Sequence, residues 1–133
     1  MLSSNFHDGK MMSIAVMDDT LFMEVYADGK TTKIKVSGLE KLRVTDFEEG
    51  NIINSLRVLS PNDHAGASSE VMRLMKYAYA LEDADFKLSP KYSSFLDKKL
   101  EAFRNGSVLV VELEPSYGAY AVAIGKEISE ESL

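Results

Sequence analysis

The chain has 133 residues, 45% hydrophobic and 27% charged, with a formal net charge of -6 and no cysteine. That length and balance describe one globular domain with its own core, and the acidic excess argues against a large nucleic-acid footprint, which needs a basic face. The missing cysteine excludes disulfides, thiolate metal sites and cysteine nucleophiles, and no apolar run approaches the ~20 residues of a membrane span.

Residues 1–12 lack the basic start and apolar run of a secretory signal and are expected to form a flexible arm. With no cysteine to oxidise, a reducing cytoplasmic setting is the expectation. Residues 13–17 (SIAVM) and 20–27 (TLFMEVYA) read as strands flanking a tight turn at Asp18-Asp19. Asp28-Gly29 suits the positive φ values of a type I′ hairpin. In the next run Thr32, Ile34 and Val36 alternate with Lys33 and Lys35, the pattern of a half-buried antiparallel strand. Residues 41–47 and 51–60, joined across Glu48, Glu49 and Gly50, complete a meander of strands.

The period then changes. Val71, Leu74, Met75, Ala78 and Leu81 recur at three- and four-residue steps, one face of a helix. Ser89-Pro90 is an N-cap serine before a first-turn proline. It opens a second helix with Tyr92, Phe95, Leu96, Leu100 and Phe103 as its buried stripe, ended by Asn105-Gly106. Residues 107–114 (SVLVVELE) read as a central strand, and 119–128 return as its antiparallel partner across PSYG. Glu112 and Glu114 share the Val108 and Val110 face, which is expected to become exposed or to meet lysines. Phe22, Phe47, Phe95 and Phe103 are expected core residues. Residues 13–128 thus predict a single α+β domain: a mainly antiparallel sheet of about seven strands with two helices packed on one face, five strands preceding the helices and two following. Residues 129–133 are expected to be a frayed acidic tail.

Candidate chemistry is sparse. Residues 60–72 (SPNDHAGASSEVM) bring Asp63 and His64 close to Ser68 and Ser69, but a triad needs its members to converge in space, which adjacent side chains rarely achieve. There is no G-x-S-x-G elbow. The segment is better explained as a turn at Pro61, Asn62 and Asp63 followed by a helix that Ser68 caps, with Glu70 in its positive first turn. The two histidines, His7 and His64, are far apart in sequence, and no metal-ligand motif or phosphate-cradling glycine loop occurs. No cofactor or metal is therefore expected.

These features favour a non-enzymatic acidic protein-binding domain, of the immunity or antitoxin type, whose carboxylates occlude the basic site of a toxin. The residues expected to carry it are Asp18, Asp19, Glu48, Glu49, Asp63, His64 and Asp83, with Tyr77 as an aromatic anchor. The partner is expected to be another protein, a basic one, with no direct nucleic-acid or membrane contact. The alternatives are a small hydrolase or transferase using Asp63 and His64 with a remote carboxylate, or a subunit that self-assembles through a sheet edge.

Overall fold

A computed structural model describes residue 2 and residues 6–62, 68–83 and 90–133. Along these residues run β1 (Lys10–Met17), β2 (Thr20–Ala27), β3 (Lys30–Ser37), β4 (Lys41–Thr45), β5 (Asn51–Leu59), α1 (Ser68–Ala78), α2 (Pro90–Arg104), β6 (Leu109–Tyr117), β7 (Tyr120–Gly125) and β8 (Glu127–Ser132). The fold is α+β: two helices and one eight-stranded antiparallel sheet ordered β4-β7-β6-β5-β1-β2-β3-β8.

Local chemistry explains the turns. Asp18 and Asp19 both hold positive φ (51° and 55°), as do Asp28 (53°) and Gly29 (77°), the combination that two-residue type I′ hairpins require. On β3, Thr32, Ile34 and Val36 are buried, as their alternation predicts. α1 buries Val71, Leu74, Met75 and Ala78, and α2 begins at Pro90 and buries Leu96, Leu100 and Phe103. The Ser89 cap lies outside the described residues. Both helices end in the same left-handed hydrogen-bond pattern. The Ser107 amide donates to the Ala102 carbonyl and Gly106 to Phe103, while Leu81 donates to Lys76 and Ala80 to Tyr77. Gly106 takes the left-handed position of α2 at φ 82°, but α1 places Ala80 there at φ 57°.

The ladder explains how the sheet encloses a core. Ser37 faces Glu127 and Lys41 faces Ile124, so β3 and β4 act as one bent strand paired along another formed by β7 and β8. Backbone bonds from Lys126 to Ser37 and from Glu40 to Ile124 carry the ladder across the bend. β4 at one end of the sheet therefore continues β3 near the other end, as β8 continues β7, and the sheet coils back on itself. Gly125 permits this, because a Cβ there would collide with Val36 and the Ser37 carbonyl. Inside sit Leu21, Met23, Val25, Ile34, Val36, Ile53 and Leu113 with the alanines of β7. Each large side chain among them contributes ~1.5–3 kcal/mol of burial. A second cluster lies on the outer face, where both helices cover Leu59, Val110, Val122 and Ile124.

Three expectations are corrected. Much of residues 6–12 belongs to the fold: Phe6 and Met11 are buried, β1 starts at Lys10, and the Asp8 amide donates to the Ile53 carbonyl. A run with no obvious period in the sequence is held here by backbone pairing. Residues 129–133 are not a frayed tail either, because β8 pairs with β3 through Ser132. There Lys33 of β3 stands between Glu131 and Glu24, so the acidic tail meets compensating charge. Phe47 and Phe95, expected in the core, are exposed, as is Tyr92. Phe95 lies at the margin of the helix pair, edge-on to Tyr79.

Ala80 yields the first prediction. A left-handed L-residue costs roughly 1–2 kcal/mol, and glycine's extra chain entropy returns part of that. Ala80→Gly should therefore raise unfolding stability by about 0.5–1 kcal/mol in a denaturant titration.

Candidate functional site

α1 rests on β7, β4 and β6. Its stripe of Glu70, Arg73 and Tyr77, offset from the buried one, faces the strand residues Arg57, Glu112, Glu114 and Tyr120 across an open cleft of about 1000 Å³. Glu112 forms the floor. It sits mid-strand opposite Val122 of β7, on the face that Val110 fills further along, and it is 3% exposed. The sequence predicted an exposed or lysine-paired carboxylate here. The helix layer covers this stretch of β6 instead, and the pairing cation is Arg57, directly opposite on β5.

Arg57 donates to one Glu112 oxygen through Nε (3.1 Å) and, more closely, through Nη2. It also donates to Glu70 on α1 at 2.6 Å. The other Glu112 oxygen accepts from the Tyr120 hydroxyl at 2.7 Å, and Arg73 Nη2 stands 3.8 Å away. Tyr120 packs edge-on against Tyr77 with centroids 4.9 Å apart. Tyr77 shares a hydrogen bond with Thr45 (2.9 Å), while Arg43 stacks over its ring, donates to its carbonyl and pairs with Glu82 at 2.8 Å. Five elements are joined in this way.

Electrostatics decides what the cleft can do. Burial works to raise the Glu112 pKa, but the hydrogen bonds from Tyr120 and Arg57 and the charges of Arg57 and Arg73 outweigh it and hold the carboxyl below its usual range. Burial and then the Glu112 bond push the Tyr120 phenol up to about 12. At neutral pH the carboxylate is thus charged and already engaged, and the phenol keeps its proton. General acid–base catalysis works best with a group poised near the operating pH, and neither of these is. Among the described residues no group of three or more His, Asp or Glu is placed to hold a metal ion.

The candidates named from sequence fall in different places. Tyr77 is in the cleft, but packed and hydrogen-bonded there rather than projecting. Asp83 is exposed just past the end of α1, beside Glu82. Glu48 and Glu49 are exposed in the β4–β5 turn, which Asn51 braces. The buried Asn51 side chain accepts from the amides of Glu48 (2.8 Å) and Ala119 (3.0 Å) and donates to the Glu48 carbonyl (2.6 Å). It thereby fixes this turn against the β6–β7 turn, where Gly118 at φ 88° leaves it room. Around the joined turns Phe47 is 45% exposed and Tyr117 55%, with Asp46, Glu48 and Glu49 also exposed. Asp18 and Asp19 sit at the far end of β1, roughly 25 Å along the strand from Lys10 at ~3.3 Å per residue. Asp63 and His64 lie outside the described residues; Ser68 is the first residue of α1, and its hydroxyl accepts from Arg104 at 3.3 Å. The sequence reading missed Arg57, Arg73 and Tyr120. One signal was present: a charge within an apolar strand run, as in VVELE or LRVL, implies a buried partner.

In comparisons with known proteins, no family model matches this chain, and no curated protein or solved structure matches it. No helix among the described residues is long and apolar enough to cross a membrane.

Two outcomes follow for stability. Arg57→Ala strands a buried carboxylate and should cost about 3–5 kcal/mol, whereas Arg57→Met combined with Glu112→Leu should cost less than Arg57→Ala alone, read by denaturant unfolding. The lowered Glu112 pKa contributes stability that is present above the unfolded carboxylate range and is lost as pH falls through the folded value. Wild type should therefore exceed Glu112→Gln in stability at neutral pH, with the gap narrowing under acid, as thermal unfolding across that pH range would show.

Proposed function

We propose that the protein is a non-enzymatic domain that binds a basic protein partner, in the manner of an immunity or antitoxin-type inhibitor covering a toxin's basic active site. The observation that carries this reading is the pair of turns braced by Asn51. Two exposed aromatic rings, Phe47 and Tyr117, stand at these turns with three exposed carboxylates, Asp46, Glu48 and Glu49. Aromatics supply contact area with few rotamers to freeze, and surrounding carboxylates speed encounter with a cationic surface. The cleft adds support, since its carboxylate is held charged beside Arg57 and its phenol keeps its proton, so neither is poised for proton transfer. Asp83 extends the same acidic character beyond α1. In this reading Phe47 and Tyr117 take the anchoring part that the sequence assigned to Tyr77.

The test is association kinetics with a basic protein captured by the chain and then purified. The combined variant Phe47→Ala, Glu48→Gln, Glu49→Gln should bind at least about tenfold more weakly, and wild-type association should slow from about 0.05 M to about 0.5 M salt. Unchanged binding by the variant, or capture of partners with no basic surface, would overturn the proposal.

A further inference from the structure

The coiled sheet closes imperfectly at one place. β1 pairs with β2 along its whole length, but with β5 only through Lys10 and Met11. β5 begins at Asn51, opposite Met11, so the edge of β1 over residues 13–17 has no strand beside it among the described residues. These residues are Ser13, Ile14, Ala15, Val16 and Met17, uncharged throughout. Val16 pairs with the buried Leu21 and shares its inward face, yet it is 53% exposed, and Met17 is 64% exposed. Strand edges are usually guarded by charge, as β4 is by Lys41 and Arg43. The β1 edge carries no such guard.

Its two ends are acidic. Asp18 and Asp19 form the turn at the tip. At the foot, Glu48 and Glu49 line a concavity with Met11, Met12 and Phe47, where Lys10 offsets only one charge. The carboxylates that lie far apart along the strand thus bracket a single apolar edge.

We infer that this edge receives an extended segment of the basic partner by strand addition, a segment with an apolar centre and Lys or Arg at both ends. The inference rests on the proposed binding of a basic protein and names its mode. Backbone hydrogen bonds to residues 13–17 supply the pairing, Val16 and Ile14 meet the apolar centre, and the flanking cations reach Asp18-Asp19 and Glu48-Glu49. A second copy of this chain fits less well. Antiparallel self-pairing would set the Asp18-Asp19 tip of one copy beside Glu48-Glu49 of the other, like charge against like.

The test uses a soluble peptide with a Val-Thr-Val-Thr-Val centre between lysine pairs, followed by amide hydrogen exchange on the whole chain. Binding should protect alternate amides of residues 13–17, and Val16→Lys should weaken it at least about tenfold by opposing the cations. Met17→Lys asks the same question should Val16→Lys unfold. A peptide with aspartate pairs in place of the lysines should not bind. Basic-peptide binding that leaves exchange at residues 13–17 unchanged would overturn strand addition and leave the basic-partner reading standing. Equal binding of the aspartate peptide would overturn both. Protection of the same amides without peptide, rising with protein concentration alongside a sedimenting dimer, would make a second copy the occupant and overturn the inference.

Discussion

The arrangement of this protein turns on one buried carboxylate. Glu112 lies within a strand whose neighbouring residues are fully apolar, and desolvating its charge is affordable only because two partners donate to it. That requirement sets the surroundings. Arg57 must stand directly across the ladder, Tyr120 must turn its hydroxyl inward, and Glu70 must approach Arg57 from α1. A hydrophobic face alone would let the helix slide along the sheet, since burial is non-directional. The Glu70–Arg57–Glu112 chain is directional, and together with the Tyr77–Thr45 bond it supplies a register for α1 over β4, β5 and β6. Such a network gives less net stability than its contact distances suggest, so its larger contribution is to select one docking of the helix layer among several of similar apolar area.

Curvature follows a different rule. The sheet's ladder runs without interruption from β3–β8 into β4–β7, and Gly125 lets the two bent strands approach closely. Closure removes most strand edges from solvent, which protects an acidic and methionine-rich chain from edge-to-edge association. The cost falls at β1, which runs past the start of β5 and keeps a five-residue uncharged edge. The same geometry brings the Asn51 turn and the Asp18-Asp19 turn to the two ends of that edge.

Elements with short-range causes were legible in the sequence. The Asp28-Gly29 hairpin, the alternation of β3, the first-turn Pro90 and the Gly106 stop each depend on a few neighbouring residues, and each stands where its pattern places it. What escaped depends on partners distant along the chain. β8 carries no strand pattern of its own and is a strand because Lys33 and Ile34 lie beside it. Met11 looks like part of a loose terminus until β5 pairs with it. Phe47 resembles a core residue by type, but it occupies a turn whose conformation Asn51 dictates. The cleft was least legible, because Arg57, Glu70, Glu112 and Tyr120 come from separate elements and share no spacing. Only the position of a charge inside VVELE hinted that a partner existed.

The two clusters of charge also explain each other. In the cleft, carboxylates and guanidiniums are matched almost one to one, so much of the chain's positive charge near α1 is spent internally on Glu70, Glu82 and Glu112. Among the described residues, the carboxylates of Asp18, Asp19, Glu48 and Glu49 form no ion pair with an arginine, so acidic character is expressed at these two turns. Like charges at exposed turns are cheaply hydrated in the free protein, and a cationic partner displaces that hydration only where contact is close. An acidic surface of this kind favours fast encounter over tight packing. For the binding proposed above, affinity would come from groups that desolvate fully, and exposed apolar groups near those carboxylates include Met12, Phe47 and the uncharged edge of β1. In the proposed reading, steering falls to the carboxylates and adhesion to these apolar groups, with Asn51 holding the acidic turn beside Phe47.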